Sequence, residues 1–228
     1  MRFILASQSS ARLNTLRQAG IDPEVVVSSV DESGFRADQP ADLTRQLAVA
    51  KAEAVFDRLG RPEDAIIIGC DSLFELDGQA IGKPGSAEAA AALLRRTRGR
   101  RGLLHTGHHL IVSANPDLPV AASTDPTVDD NITITSHSHE PDTSPRRVTA
   151  VASSQVQVGP MTDDEVAAYV ATGEPQAVAG GFTIDGLGGP FIESIIGDHH
   201  NVVGLSLPLL RQMLRAAGIS WPRLWRRL

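Results

Sequence analysis

The amino-acid sequence predicts an α/β fold, and three observations carry that expectation. Ile66-Ile67-Ile68 is a run of β-branched residues bounded by turn formers, the pattern of a strand covered on both faces. Leu43, Leu47, Ala50, Ala54, Val55 and Leu59 recur at helical spacing just before it. The 228 residues, 42% of them hydrophobic, suffice for one large α/β domain or two small lobes. No linker divides the chain, so residues 1–228 are expected to form one domain with a polar insertion at about 115–147.

The strand opening at Ile66 is expected to be short, with Asp71 at or near its carboxyl end, where open α/β sheets bind their ligands. Asp77-Gly78 predicts a hairpin turn, and Lys83 follows it. A carboxylate and an ammonium at the mouth of one sheet can hold a metal, a water and a phosphate together. The same residues also fit a turn-capping aspartate and an exposed lysine.

Taken in order, Phe3-Ile4-Leu5-Ala6 reads as the first strand. Ser9 or Ser10 then caps a helix with Leu13, Leu16 and Ala19 on one face and Gly20 at its end. Such a junction points free backbone N–H groups at an anion, and Arg12 adds a guanidinium. A well-capped helix with a solvated arginine is the competing reading. Residues 23–30 read as a second strand, ending in Asp31-Glu32, which suits either a solvated turn or hard oxygen ligands for Mg²⁺. Lys51 lies beside the apolar stripe of the next helix, aimed at the sheet mouth or snorkelling outwards.

Ser86 caps another helix with Leu93-Leu94 packing inward, and the basic run 95–101 forms its solvated end. Residues 103–112 read as a strand carrying His105, Thr106, His108 and His109. That histidine cluster is a weak zinc signal, because the spacing of His105 and His109 suits a metal only on a helix. Residues 115–147 are rich in Pro, Ser, Thr and Asp and contain His137 and His139, to which no role is assigned. Strand-like alternation resumes over 148–158. Thr162-Asp163-Asp164-Glu165 is a capping-box pattern, leading a helix with Val166, Tyr169 and Val170 on its apolar face. A glycine-rich stretch, 179–191, does not match the dinucleotide fingerprint, since strand-then-helix context is missing. Residues 191–195 read as a strand, 201–204 lead into a last helix at about 205–217, and 221–228 form a basic tail packed on the surface.

The net charge of −6 argues against general nucleic-acid binding, though a few local lysines and arginines suffice for a phosphorylated small molecule. A single cysteine, Cys70, cannot form an internal disulfide, which points to a reducing compartment. No apolar run is long enough for a signal peptide or a membrane span. The expectation is a soluble cytoplasmic protein with neither nucleic-acid nor membrane partner.

Several segments together resemble one family, the Maf-like nucleoside triphosphate pyrophosphatases. They are Leu5-Ala6-Ser7-Gln8-Ser9 with Arg12, Asp31-Glu32, Ala50-Lys51-Ala52, Gly69-Cys70-Asp71-Ser72, Gly82-Lys83-Pro84, Thr172-Gly173-Glu174-Pro175, Ala179-Gly180-Gly181-Phe182 and Val203-Gly204-Leu205. They occur in the family's order. The resemblance implies an inosine-triphosphatase-like fold of the Maf/Ham1 type, a mixed sheet flanked by helices with two lobes around a central cleft. It implies hydrolysis of a nucleoside triphosphate to the monophosphate and pyrophosphate with Mg²⁺ or Mn²⁺, and a role in clearing non-canonical nucleotides and arresting division. Asp71 matches the family's proton acceptor and Ser7 and Arg12 its phosphate-contacting loop, while Glu32, Lys51 and Lys83 match polar cleft residues. Chemically, Asp71 and Glu32 suit a sparse Mg²⁺ ligand set, and Lys51, Lys83 and Arg12 suit a leaving pyrophosphate. A homodimer is compatible with the sequence.

The chain departs from the family pattern at Ser10 and Ala11, where a proline and a second basic residue are usual. Ser72 replaces a threonine, and Asp185 stands where a pyrimidine-preferring branch has glutamine. Ser72 and Asp185 are therefore expected to touch substrate and to set base choice. The rival readings are a phosphohydrolase releasing orthophosphate and a nucleotide-binding regulator of division without turnover. A P-loop is disfavoured because Pro84, not Ser or Thr, follows Gly82-Lys83.

Overall fold

A computed structural model describes residues 1–113, 133–135 and 144–225. In chain order the elements are β1 (Arg2–Leu5), α1 (Ser10–Gln18), β2 (Glu24–Val25), α2 (Pro40–Arg58), β3 (Ala65–Leu76), β4 (Gln79–Ile81), α3 (Ala87–Thr97), β5 (Arg101–Val112), β6 (Thr133–Thr135), β7 (Arg146–Val158), α4 (Asp163–Ala171), β8 (Ile192–Ile196), α5 (His199–Val203) and α6 (Leu207–Ala216). The strands form one eight-stranded sheet in the order β2-β1-β3-β5-β7-β6, with β4 also on β3 and β8 also on β7. β1 runs parallel to β2 and β3, and the remaining pairs are antiparallel. The α/β fold with a mixed, helix-flanked sheet is therefore as expected. Most of the polar insertion, including His137 and His139, lies outside the described residues.

Local chemistry explains the helix starts. Ser9, Ser86 and Ser206 accept hydrogen bonds from first-turn backbone N–H groups of α1, α3 and α6. Thr162 and Glu165 complete a reciprocal capping box on α4. Asp77 and Gly78, both with positive φ (54° and 75°), make the two-residue turn between β3 and β4.

Two sequence expectations are corrected. β3 does not end at or near Asp71 but runs to Leu76, because β5 pairs with it as far as Glu75 and β4 folds back on its last residues. Asp71 therefore lies mid-strand. The strand expected over 23–30 shrinks to Glu24–Val25, since its partner β1 ends at Leu5. The last helix expected at about 205–217 is α6, and the residues leading into it carry a short helix of their own, α5, ended at Gly204 (φ 119°). The basic run after α3 is also less free than expected: Arg95 and Arg98 pair with Asp163, and Arg100 with Asp77.

The sheet is split at one place. On one edge β3 is paired with β1 only up to Ile68 and with β4 only from Phe74, while its other edge is paired with β5 throughout. Residues 69–73 thus have one open edge, and Asp71 is at its centre. Alternation sends Gly69 and Asp71 to one face and Cys70 and Ser72 to the other. On the first face α2 lies directly on the strands, because Gly69 and Gly107 leave room where a Cβ would strike the α2 backbone at Ala48 and Thr44. On the second face Cys70 joins the main core with Leu16 of α1 and Leu210, Met213 and Leu214 of α6. Beyond the open edge, Phe74 packs in a separate cluster with Phe182, their rings edge-on at 5.3 Å.

Candidate active site

The open edge collects charge from both faces. Lys51, on the side of α2 that faces Gly69, places Nζ 2.5 Å from Asp71 Oδ1 and 2.8 Å from Glu32 Oε1. Of the two orientations open to Lys51 in the sequence, the structure has the inward one. Its side chain is 12% exposed and that of Asp71 11%, whereas Glu32, in a short 3₁₀ turn after β2, is half exposed at 51%. Burial raises the pKa of Asp71 above the ordinary carboxylate value; Lys51 and then Arg12 pull it back down, and Glu32 adds to the rise. A carboxylate made more basic by desolvation, yet held by an ammonium, is equipped to accept a proton.

Arg12 approaches from the opposite face. Its Nε donates to Gly204 O at 2.7 Å, Nη1 to Ser7 Oγ at 3.2 Å and Nη2 to Ser72 Oγ at 3.0 Å. Ser7 sits just past β1 and also accepts from Ser9 N at 3.2 Å, which shapes the turn into α1. The structure thus joins Ser7, Arg12 and Ser72 into one hydrogen-bonded group and Glu32, Lys51 and Asp71 into another. Asp71 and Ser72, adjacent on β3, link the two.

Lys83 and Asp185 stand apart from both groups. Lys83 is exposed on the loop after β4 and makes no hydrogen bond or ion pair among the described residues. Its loop docks on the glycine-rich segment, with Gly180 N donating to Gly82 O and Gly85 N to Gln176 O. Asp185 is exposed in the turn that follows. That turn is tied down by Glu174, which accepts from Tyr169 OH, Thr183 Oγ1, Leu187 N and Gly188 N at 2.6–3.1 Å.

The histidines of β5 do not assemble a metal site among the described residues. His105 lies between Ser153 and Glu75, and His109 between Thr149 and Glu53. His108 faces the other way, donates from Nδ1 to Thr106 O and accepts Ser206 N at Nε2, and burial lowers its pKa to about 4. A different trio, Asp198, His199 and His200, has ligand atoms within 4.8 Å of one another at the start of α5. There Asp198 already caps the helix through His200 N at 3.0 Å.

The family described as "Maf-like protein" matches residues 2–217. The chain belongs to the Maf-like family. A Streptomyces coelicolor protein named nucleoside triphosphate pyrophosphatase is 48% identical over 226 residues, covering 98% of this chain and 94% of its own. Proteins of the same name from Salinispora tropica (46% over 229 residues, 100% and 88% covered) and Cutibacterium acnes (42% over 228 residues, 98% and 94% covered) are similar as well. A solved Ham1 protein of Staphylococcus aureus matches 99% of this chain and 94% of its own at 17% identity, with a TM-score of 0.38.

For this Maf-like chain, Asp71 and Glu32 fit a divalent cation by one observation. Both carboxylates converge on a single cationic atom, Lys51 Nζ, and each keeps a second oxygen that accepts no hydrogen bond among the described residues. Hard, partly solvated oxygens are what Mg²⁺ takes. Spacing in the sequence does not announce the carbonyl of Gly204, which holds Arg12; the Val203-Gly204-Leu205 match is the one signal near it.

Proposed function

We propose that this Maf-like protein hydrolyses nucleoside triphosphates, non-canonical ones included, to the monophosphate and pyrophosphate. The observation that carries this is the buried Asp71 carboxylate, 2.5 Å from Lys51, at an open strand edge flanked by Arg12. Asp71 takes a proton from a water aligned on the α-phosphorus. The new P–O bond forms as the bond to the β-phosphate bridge breaks, and pyrophosphate leaves with the electron pair. Lys51 keeps Asp71 oriented, Lys51 and Lys83 offset charge growing on the leaving group, and Arg12 binds the triphosphate. Mg²⁺ or Mn²⁺ held by Asp71 and Glu32 would supply Lewis-acid polarisation of the phosphates. Ser7 binds substrate through its hydroxyl, Ser72 through the Arg12 guanidinium it holds, and Asp185 reads the base as an acceptor of N–H groups. We place the reaction in the cytoplasm, supported by the buried, unpaired Cys70 and by the lack, among the described residues, of a helix able to cross a membrane.

The test is a product assay across canonical and modified triphosphates. Pyrophosphate release that stops with EDTA and returns with Mg²⁺ or Mn²⁺ is expected. Orthophosphate as first product, or binding without turnover, overturns the reading.

A further inference from the structure

Thr106 has no part in the mechanism above, yet it is wholly buried on β5, directly across from Ser72. Its Oγ1 donates to Asn201 O at 3.0 Å. A hydroxyl has one proton, so at the 2.9 Å contact between Thr106 Oγ1 and Ser72 Oγ the donor is Ser72. With its proton spent there, Ser72 can only accept from Arg12 Nη2. The hydrogen bonds therefore run in one direction, from Arg12 to Ser72 to Thr106 to the Asn201 carbonyl. The far end is rigid: Asn201 is wholly buried, and its Nδ2 donates to Leu104 O and Ser154 Oγ, each at 3.0 Å. Arg12 Nε reaches Gly204 O, the same turn of chain, at 2.7 Å.

We propose that Thr106 is a positioning residue that fixes Ser72 as an acceptor and thereby aims the Arg12 guanidinium at the triphosphate. Resting on the pyrophosphatase reading, this assignment makes Thr106 a determinant of substrate affinity, with little hold on the chemical step. It also means that Ser72 offers no proton to a base or phosphate.

The test is a double-mutant cycle. Thr106→Val keeps the shape and removes the hydroxyl, Thr106→Ser keeps the hydroxyl, and Arg12→Ala removes the group acted upon. Thr106→Val should raise KM about tenfold with kcat within about threefold, the size of a lost hydrogen bond acting on a charged partner. Thr106→Ser should restore KM, and in the Arg12→Ala background Thr106→Val should change KM less than about twofold. If Thr106→Val does not fold, Ser72→Ala breaks the same relay at a less buried position and should show the same non-additivity with Arg12→Ala. Multiplying effects in the cycle, or a Thr106→Val KM within twofold of wild type, overturn the assignment. Wild-type protein that releases no pyrophosphate overturns the pyrophosphatase reading instead, and the same cycle read as Kd for a non-hydrolysable triphosphate then decides the role of Thr106.

Discussion

In the proposed mechanism Asp71 accepts the proton, and its replacement is the most direct probe. Asp71→Asn keeps the shape and removes the charge and the basic lone pair. We expect kcat to fall by about a hundredfold or more, the range for losing positioned acid–base chemistry. Nucleotide affinity should persist in part through Ser7 and Arg12; a kcat near wild type would remove Asp71 from the mechanism. Asp185 gives the second probe. On the proposed reading it is an acceptor that favours bases presenting N–H groups, such as guanine, over uracil O4. Purine triphosphates should therefore be handled at least as well as UTP or TTP, and Asp185→Gln should shift that ranking in kcat/KM. An unchanged ranking takes Asp185 out of base recognition. Individual residue types were legible before the structure: a carboxylate after an apolar strand, an arginine in a first turn. Their grouping was not, because Glu32, Lys51 and Asp71 come from three separate elements and no spacing rule joins them. Only the resemblance put them together.

Caps and turns were the most legible features, since Ser9, Ser86, Thr162 and Asp77-Gly78 act on neighbours in sequence. Strand ends were less so. Asp71 and Ser72 look like the end of a strand, and they continue it because Lys51, Arg12 and Thr106 satisfy them from other elements. The seating of α2 on the sheet rests on Gly69 and Gly107. A methyl at Gly69 would come within 2.8 Å of Ala52 N, with Ala48 O nearer still. Gly69→Ala should therefore destabilise by about 1–3 kcal/mol, the usual cost of overpacking. Because α2 carries Lys51, it should lower kcat as well. Gly34, whose added methyl meets nothing within 4 Å, is the control, and Gly34→Ala should leave the thermal midpoint nearly unchanged. Equal midpoints for the two variants would contradict the packing argument.

Across the molecule, one ion cluster binds α2 to the centre of the sheet. Arg147 of β7 donates Nε and Nη2 to Glu53 at 2.6 and 3.1 Å, and His109 of β5 lies 3.3 Å from the same carboxylate. His109 first, then Arg147, lower the pKa of Glu53 from 4.5 to about 2, against the opposing effect of burial. A folded-state pKa below the unfolded one adds stability that is complete above the unfolded value and is lost as pH falls towards the folded one. Glu53 should thus contribute on the order of 2 kcal/mol at neutral pH, less than the bare shift because its side chain is 29% exposed and water screens it. The urea midpoint should drop between pH 6 and pH 3, and Glu53→Gln should flatten that drop. A slope unaltered in the variant would assign acid sensitivity to other groups.

The bond from Arg12 to the carbonyl of Gly204 spans 192 positions of chain. An emerging polypeptide therefore carries Ser7, Arg12, Lys51 and Asp71 long before it can aim its guanidinium. A nascent chain halted short of that glycine should be catalytically silent, and competence should arrive late and abruptly, as the closing turn docks.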